Sequence, residues 1–126
     1  MKKLIGGRII NFVPFFGACL NEGKNLVLSE DGDFSLTVDT GFSGGIALPL
    51  EILDEMDLKI IDFDTFRLAT GEVTELPVFL GKVFIGEHGI ETWFIPGDSL
   101  VGMEFLYTAG SVLSLDFKVE TVKLMK

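Results

Sequence analysis

Short apolar stretches, rich in branched and aromatic residues and separated by glycine, proline and acidic residues, recur along the whole chain. Stretches of this length and composition predict β-strands joined by tight turns. Ile9 to Leu20 is apolar and interrupted by Pro14 and Gly17, which predicts one first strand with a bend or bulge, Arg8 and Asn11 facing outward. Lys24 to Ser29 predicts a short strand, and Glu30-Asp31-Gly32-Asp33 carries the Asp-Gly signal of a hairpin turn. Phe34 to Val38 predicts the next strand. Pro49 to Leu58 is the clearest helix: Pro49 suits a first turn, Glu51 lies near the positive end, and Leu50, Leu53 and Met56 or Asp57 recur at helical spacing. Arg67 to Leu80 predicts a hairpin with Ala69-Thr70-Gly71-Glu72 at its tip. Lys82 to Gly86 and Ile90 to Ile95 predict a second hairpin, turning at Glu87-His88-Gly89. Pro96-Gly97-Asp98 breaks the chain, Met103 to Tyr107 reads as about one turn of helix, and Val112 to Phe117 and Val119 to Leu124 alternate as strands.

The chain has 126 residues, 48% of them hydrophobic and 23% charged, which suits one domain over residues 1–126 with a sizeable core. A formal net charge of −9 opposes a nucleic-acid partner, whose phosphates would repel it. Cys19 is the single cysteine, so no intrachain disulfide forms; a reducing, cytoplasmic location is expected. A nucleophilic Cys19 would need a basic neighbour. The single histidine, His88, falls instead on a glycine-flanked turn and reads as a surface residue. Trp93 reads as a core or interface aromatic. Met1-Lys2-Lys3-Leu4-Ile5 begins like a signal peptide, but Arg8, Asn11 and Pro14 interrupt the apolar stretch, so it reads as strand and no membrane association is expected. The acids of Glu30 to Asp33 lack the ligand alternation of a calcium loop. Neither metal nor cofactor is expected.

One motif carries chemistry. Leu36-Thr37-Val38-Asp39-Thr40-Gly41-Phe42-Ser43-Gly44 ends an apolar strand in a carboxylate, followed at once by a hydroxyl residue and a glycine. The strand takes the carboxylate towards the interior. The glycine lets the backbone turn and bring its N–H groups near the carboxylate. Thr40 and Ser43 add hydroxyls able to bond within the loop. Such a setting holds a carboxylate in one geometry and charge state. Further on, Ser99-Leu100-Val101-Gly102-Met103-Glu104-Phe105-Leu106 places two apolar residues before a glycine and a short amphipathic stretch after it.

These two motifs, with a glycine-bearing hairpin between them, make residues 8 to 118 resemble the retroviral-type (retropepsin-like) aspartic proteases, above all their stand-alone prokaryotic relatives. The resemblance implies a mostly β fold, a closed β-barrel or sandwich with one main helix and a flap hairpin. It also implies peptide hydrolysis. Two neighbouring carboxyl groups sharing one proton can both activate a water and protonate the scissile carbonyl. The chain holds a single Asp-Thr-Gly, so the second carboxylate must come from another copy, and a homodimer with Asp39 against Asp39 is expected. By the same resemblance Thr40 reaches across to the partner's loop, Gly41 offers its N–H to the carboxylate, and Ser43 bonds an outer oxygen of Asp39. Phe42, in a position retroviral enzymes give to alanine, borders the substrate side chains. Ala69, Thr70 and Gly71 form the flap tip over an extended peptide or protein substrate, and Leu100, Val101 and Gly102 pack beneath the loop. The ring of Phe42 and a flap tip poor in glycine also fit a catalytically idle dimeric binding module of the same fold. Chain-end strands, Met1 to Ile5 and Val119 to Leu124, are expected to interleave between copies.

Overall fold

The apolar stretches become strands wherever alternation lets one face of each be buried. The computed structural model describes residues 1–126. In chain order the strands are β1 (Lys3–Ile10), β2 (Val13–Leu20), β3 (Leu26–Leu28), β4 (Phe34–Val38), β5 (Ile46–Leu48), β6 (Lys59–Arg67), β7 (Val73–Ile85), β8 (His88–Pro96), β9 (Leu100–Val101), β10 (Val112–Asp116) and β11 (Thr121–Met125). Helix α1 (Leu50–Met56) follows β5 and helix α2 (Met103–Ala109) follows β9. Strands β2-β3-β7-β8-β5-β9-β4 close on themselves through β2–β4, giving a seven-stranded barrel. Strands β1, β11 and β10 extend from one side of it, and β6 hangs on β7. No helix is long and apolar enough to cross a membrane.

The interior is one cluster of 20 buried residues. Alternation fills it: Phe16 and Ala18 from β2, Leu36 and Val38 from β4, Phe94 from β8, Val122 and Leu124 from β11. Phe16, Phe94 and Phe105 are fully buried, each contributing on the order of 2–3 kcal/mol by leaving water.

Several local expectations need correction. Ile9 to Leu20 is not one bent strand. It belongs to a hairpin of β1 and β2, whose Asn11-Phe12 turn has φ of 51° and 69°. Asn tolerates that left-handed backbone, but Phe12 carries no turn signal and stands fully exposed. Glu30 to Asp33 is not a hairpin turn, because β3 and β4 do not pair with each other; both run antiparallel to β2. The chain crosses over β2 there. A Cβ on Gly32 would lie 2.2 Å from the Ala18 backbone, and one on Gly17 2.3 Å from the Ser29 carbonyl. The long hairpin starts earlier than expected: β6 begins at Lys59 because Asp57, with φ of 53°, ends α1 in the left-handed conformation usually left to glycine. The next turn is Gly86-Glu87, with His88 already paired to Ile85. Finally, α1 is not the single main helix, since α1 and α2 each span 7 residues.

Candidate functional site

Strand β4 carries Asp39 out of the barrel wall, immediately after the buried Val38. The Asp39 N–H donates to the Val101 carbonyl at 2.9 Å, and its own carbonyl accepts the Phe42 N–H at 3.1 Å. Its carboxylate Oδ1 accepts the Gly41 N–H at 2.8 Å. A half-buried carboxylate is therefore held from both the strand and the turn, with the second oxygen free of protein hydrogen bonds.

The second motif lies directly beneath. Strand β9 runs parallel to β4, with Leu100 opposite Thr37 and Val101 opposite Val38. Gly102, Met103 and Glu104 then donate their N–H groups to the carbonyls of Gly45 (2.7 Å), Phe42 (2.8 Å) and Gly44 (3.1 Å). The start of α2 thus satisfies donors that have no partner within the helix, and clamps the loop after Asp39. Gly102 is required by space: a Cβ there would sit 2.2 Å from the Gly44 carbonyl oxygen and 2.6 Å from the Phe42 ring.

Glu104 adds a support that sequence reading missed. Its carboxylate accepts the Thr92 hydroxyl at 2.5 Å and the Thr108 hydroxyl at 3.0 Å. Thr92 is 2% exposed. A threonine at an inward position of β8, in line with Phe94, was the available signal that a polar partner must lie opposite.

The remaining expected residues fall as follows. Thr40 and Gly41 are exposed at the loop crest. Ser43 does not bond Asp39; the turn closed by Phe42 N–H to Asp39 C=O leaves Ser43 exposed, and its hydroxyl has no protein partner. Phe42 is half-buried. The ring folds back against Gly44 and Gly102, filling the room that two missing side chains leave. Ala69, Thr70 and Gly71 are exposed at the tip of the β6–β7 hairpin, whose hydrogen bonds are internal: Leu68 N–H to Glu72 C=O at 2.8 Å, and Gly71 N–H to Leu68 C=O at 2.9 Å. Trp93, expected in a core or interface, stands 54% exposed on β8. No group of three or more His, Cys, Asp or Glu side chains is placed to hold a metal.

Two clefts flank the Asp39 loop. One, of about 500 Å³, is lined by Thr40, Met103, Tyr107 and Val112 among others. The other, of about 300 Å³, is lined by Phe12, Pro14, Asp39, Thr40 and Leu115 among others. Leu113 borders both, and Asp39 is the only charged residue in either lining. Around them Phe12 is fully exposed and Tyr107 85% exposed. No protein family, no curated protein and no solved structure matches the chain.

Within the single chain the end strands already pair with each other. β1 pairs with β11 inside the chain, Ile5 opposite Leu124 and Arg8 opposite Thr121, and the far side of β11 is taken by β10. The open edge on this side of the molecule is β10.

Proposed function

We propose that the chain is a retropepsin-like aspartic endopeptidase that works as a homodimer, with Asp39 of each copy sharing one proton. The observation that carries this reading is the Asp39 carboxylate itself. It is fixed by the Gly41 N–H, underlain by Gly102, and set between two clefts whose linings hold no other charged residue. Two chains of charge −9 repel over most of their surfaces. A two-fold contact through this apolar face avoids that repulsion and brings two Asp39 carboxylates together. The ionised carboxyl then takes a proton from water while the protonated one donates to the peptide carbonyl. Thr40, at the crest, is the residue positioned to meet the partner's loop. The β6–β7 hairpin covers an extended peptide, and Gly102, with Leu100 and Val101, keeps the loop rigid. Cleavage of a peptide library by the purified chain at acid pH, lost on Asp39→Asn, tests the reading.

The dimer face gives its own test. Tyr107→Asp with Val112→Asp puts like charges on both sides of a two-fold contact while altering only exposed side chains. Light scattering at micromolar concentration should give twice the 13.8 kDa chain mass for wild type and the single mass for the variant. A monomeric wild type removes the basis for a shared dyad.

The hairpin gives another. Gly71 has φ of 91° and open space around it, so valine strains only the backbone of the tip. Gly71→Val should reduce turnover about tenfold with the dimer intact; unchanged turnover shows that this hairpin does not close over substrate.

The free hydroxyl of Ser43 favours a second reading, an idle dimeric module of the same fold that binds peptides without cutting them.

A further inference from the structure

Away from Asp39, one cleft reverses the sign of the surface. Lys2, Lys3, Lys126 and His88 line a hollow of about 550 Å³, between the start of β1, the β7–β8 turn and the end of α2. No acidic side chain lines it. Three of the chain's 10 lysines and arginines and its single histidine therefore meet in one place on a chain of net charge −9. The gathering is built by the fold. Lys2 and Lys126 exchange backbone hydrogen bonds, N–H to C=O at 2.7 Å and 2.8 Å, which sets the two chain segments side by side. The β7–β8 turn brings His88 to the same rim. Lys3 leans on Glu30 at 3.7 Å, an exposed pair that leaves it largely available. Lys2 and Lys126 have no ion-pair partner.

The lining beneath this rim is apolar. Leu4, Ile85, Ile90 and Ala109 contribute to it, with Ile85 and Ala109 buried. Gly86, with open space around it, carries no side chain to obstruct the entrance. A basic rim over an apolar base has two complementary halves: ammonium donors for an anionic head, and a hydrophobic surface for a short tail. The volume lies within the range of about 300–1,000 Å³ usual for small-molecule sites.

We propose that this cleft binds a small anion carried on a short apolar body, of the medium-chain carboxylate or alkyl phosphate class. The inference is independent of the protease reading, since none of its residues belongs to the Asp39 face. Either half alone is a poor ligand: inorganic phosphate leaves the base wet, and a neutral alcohol leaves the lysines unpaired.

The full chain is titrated with octyl phosphate and with octanoate below their micelle concentrations, following amide NMR shifts and heat. Shifts should centre on Gly86, Gly89, Ile90 and Ala109, and the tighter of the two probes identifies the head group. Octanol and inorganic phosphate should each bind at least about tenfold more weakly. Lys2→Glu with Lys126→Glu should weaken octyl phosphate at least about tenfold, with circular dichroism unchanged; Lys2→Gln with Lys126→Gln replaces it should the reversal disturb the β1–β11 pairing. Octanol binding as tightly as octyl phosphate, inorganic phosphate doing so (an adventitious ion only), shifts mapping elsewhere, or charge variants binding like wild type would each overturn the proposal.

Discussion

The Asp39→Asn chain will fold and dimerise like wild type but cut no peptide. The substitution preserves shape, and the asparagine oxygen can still accept the Gly41 N–H that now reaches Oδ1 at 2.8 Å. What it removes is the ability to hold and exchange a proton. Neither copy can then take a proton from water, so the expected loss is at least about a thousandfold in rate, or about 4 kcal/mol of transition-state stabilisation. A statine-type inhibitor, whose hydroxyl mimics the tetrahedral intermediate, should bind wild type and not the variant. Equal cleavage by the variant would move the chemistry away from Asp39. Absence of cleavage by both proteins across the acid range, together with peptide binding, would favour the idle module.

Gly102→Ala should cost the fold heavily for a single added methyl group. The added carbon would lie within 2.8 Å of two carbonyl oxygens, those of Gly44 and Phe42, and 2.6 Å from the Phe42 ring. The ring can move; the two carbonyls are tied to the N–H groups of Glu104 and Met103 and cannot retreat without breaking those bonds. The expected cost is about 3 kcal/mol, read as a fall in Tm of about 10 °C. Gly97→Ala, whose Cβ would meet only Ala47 at 3.6 Å, is the control, expected within about 0.5 kcal/mol of wild type. Adding Phe42→Ala to Gly102→Ala should recover only part of the loss, since the backbone oxygens remain. Equal Tm values for Gly102→Ala and Gly97→Ala would mean that the loop and α2 are not clamped together.

The Asp39 loop was legible because its signals are local: an apolar strand, a carboxylate, and a glycine two residues on whose N–H reaches back. Gly102 was legible for the same reason, as a residue chosen for having no side chain. The mostly β character and the last two strands, β10 and β11, followed from alternation. What stayed hidden depends on contacts distant in sequence or on residues doing another residue's work. Asn11-Phe12 and Asp57 adopt positive φ without glycine, so neither the first hairpin nor the start of β6 was marked. The crossing of residues 29–33 over β2 looks locally like any Asp-Gly turn, and only the shared pairing of β3 and β4 with β2 reveals it. The Thr92–Glu104 bond joins two elements through side chains alone, and the pairing of β1 with β11 spans nearly the whole chain.

The clamp beneath Asp39 also dictates when the loop can exist. Every bond that holds it from below comes from residues 101 to 104, and β4 gains its second neighbour only when β9 docks. Pairings this distant close late and slowly, after local hairpins have formed. A ribosome that has made Asp39 but not yet Gly102 carries a carboxylate on an unfinished strand, in open water, with no fixed partner. The geometry around it appears only once residues 101 to 104 have been made and the barrel shuts.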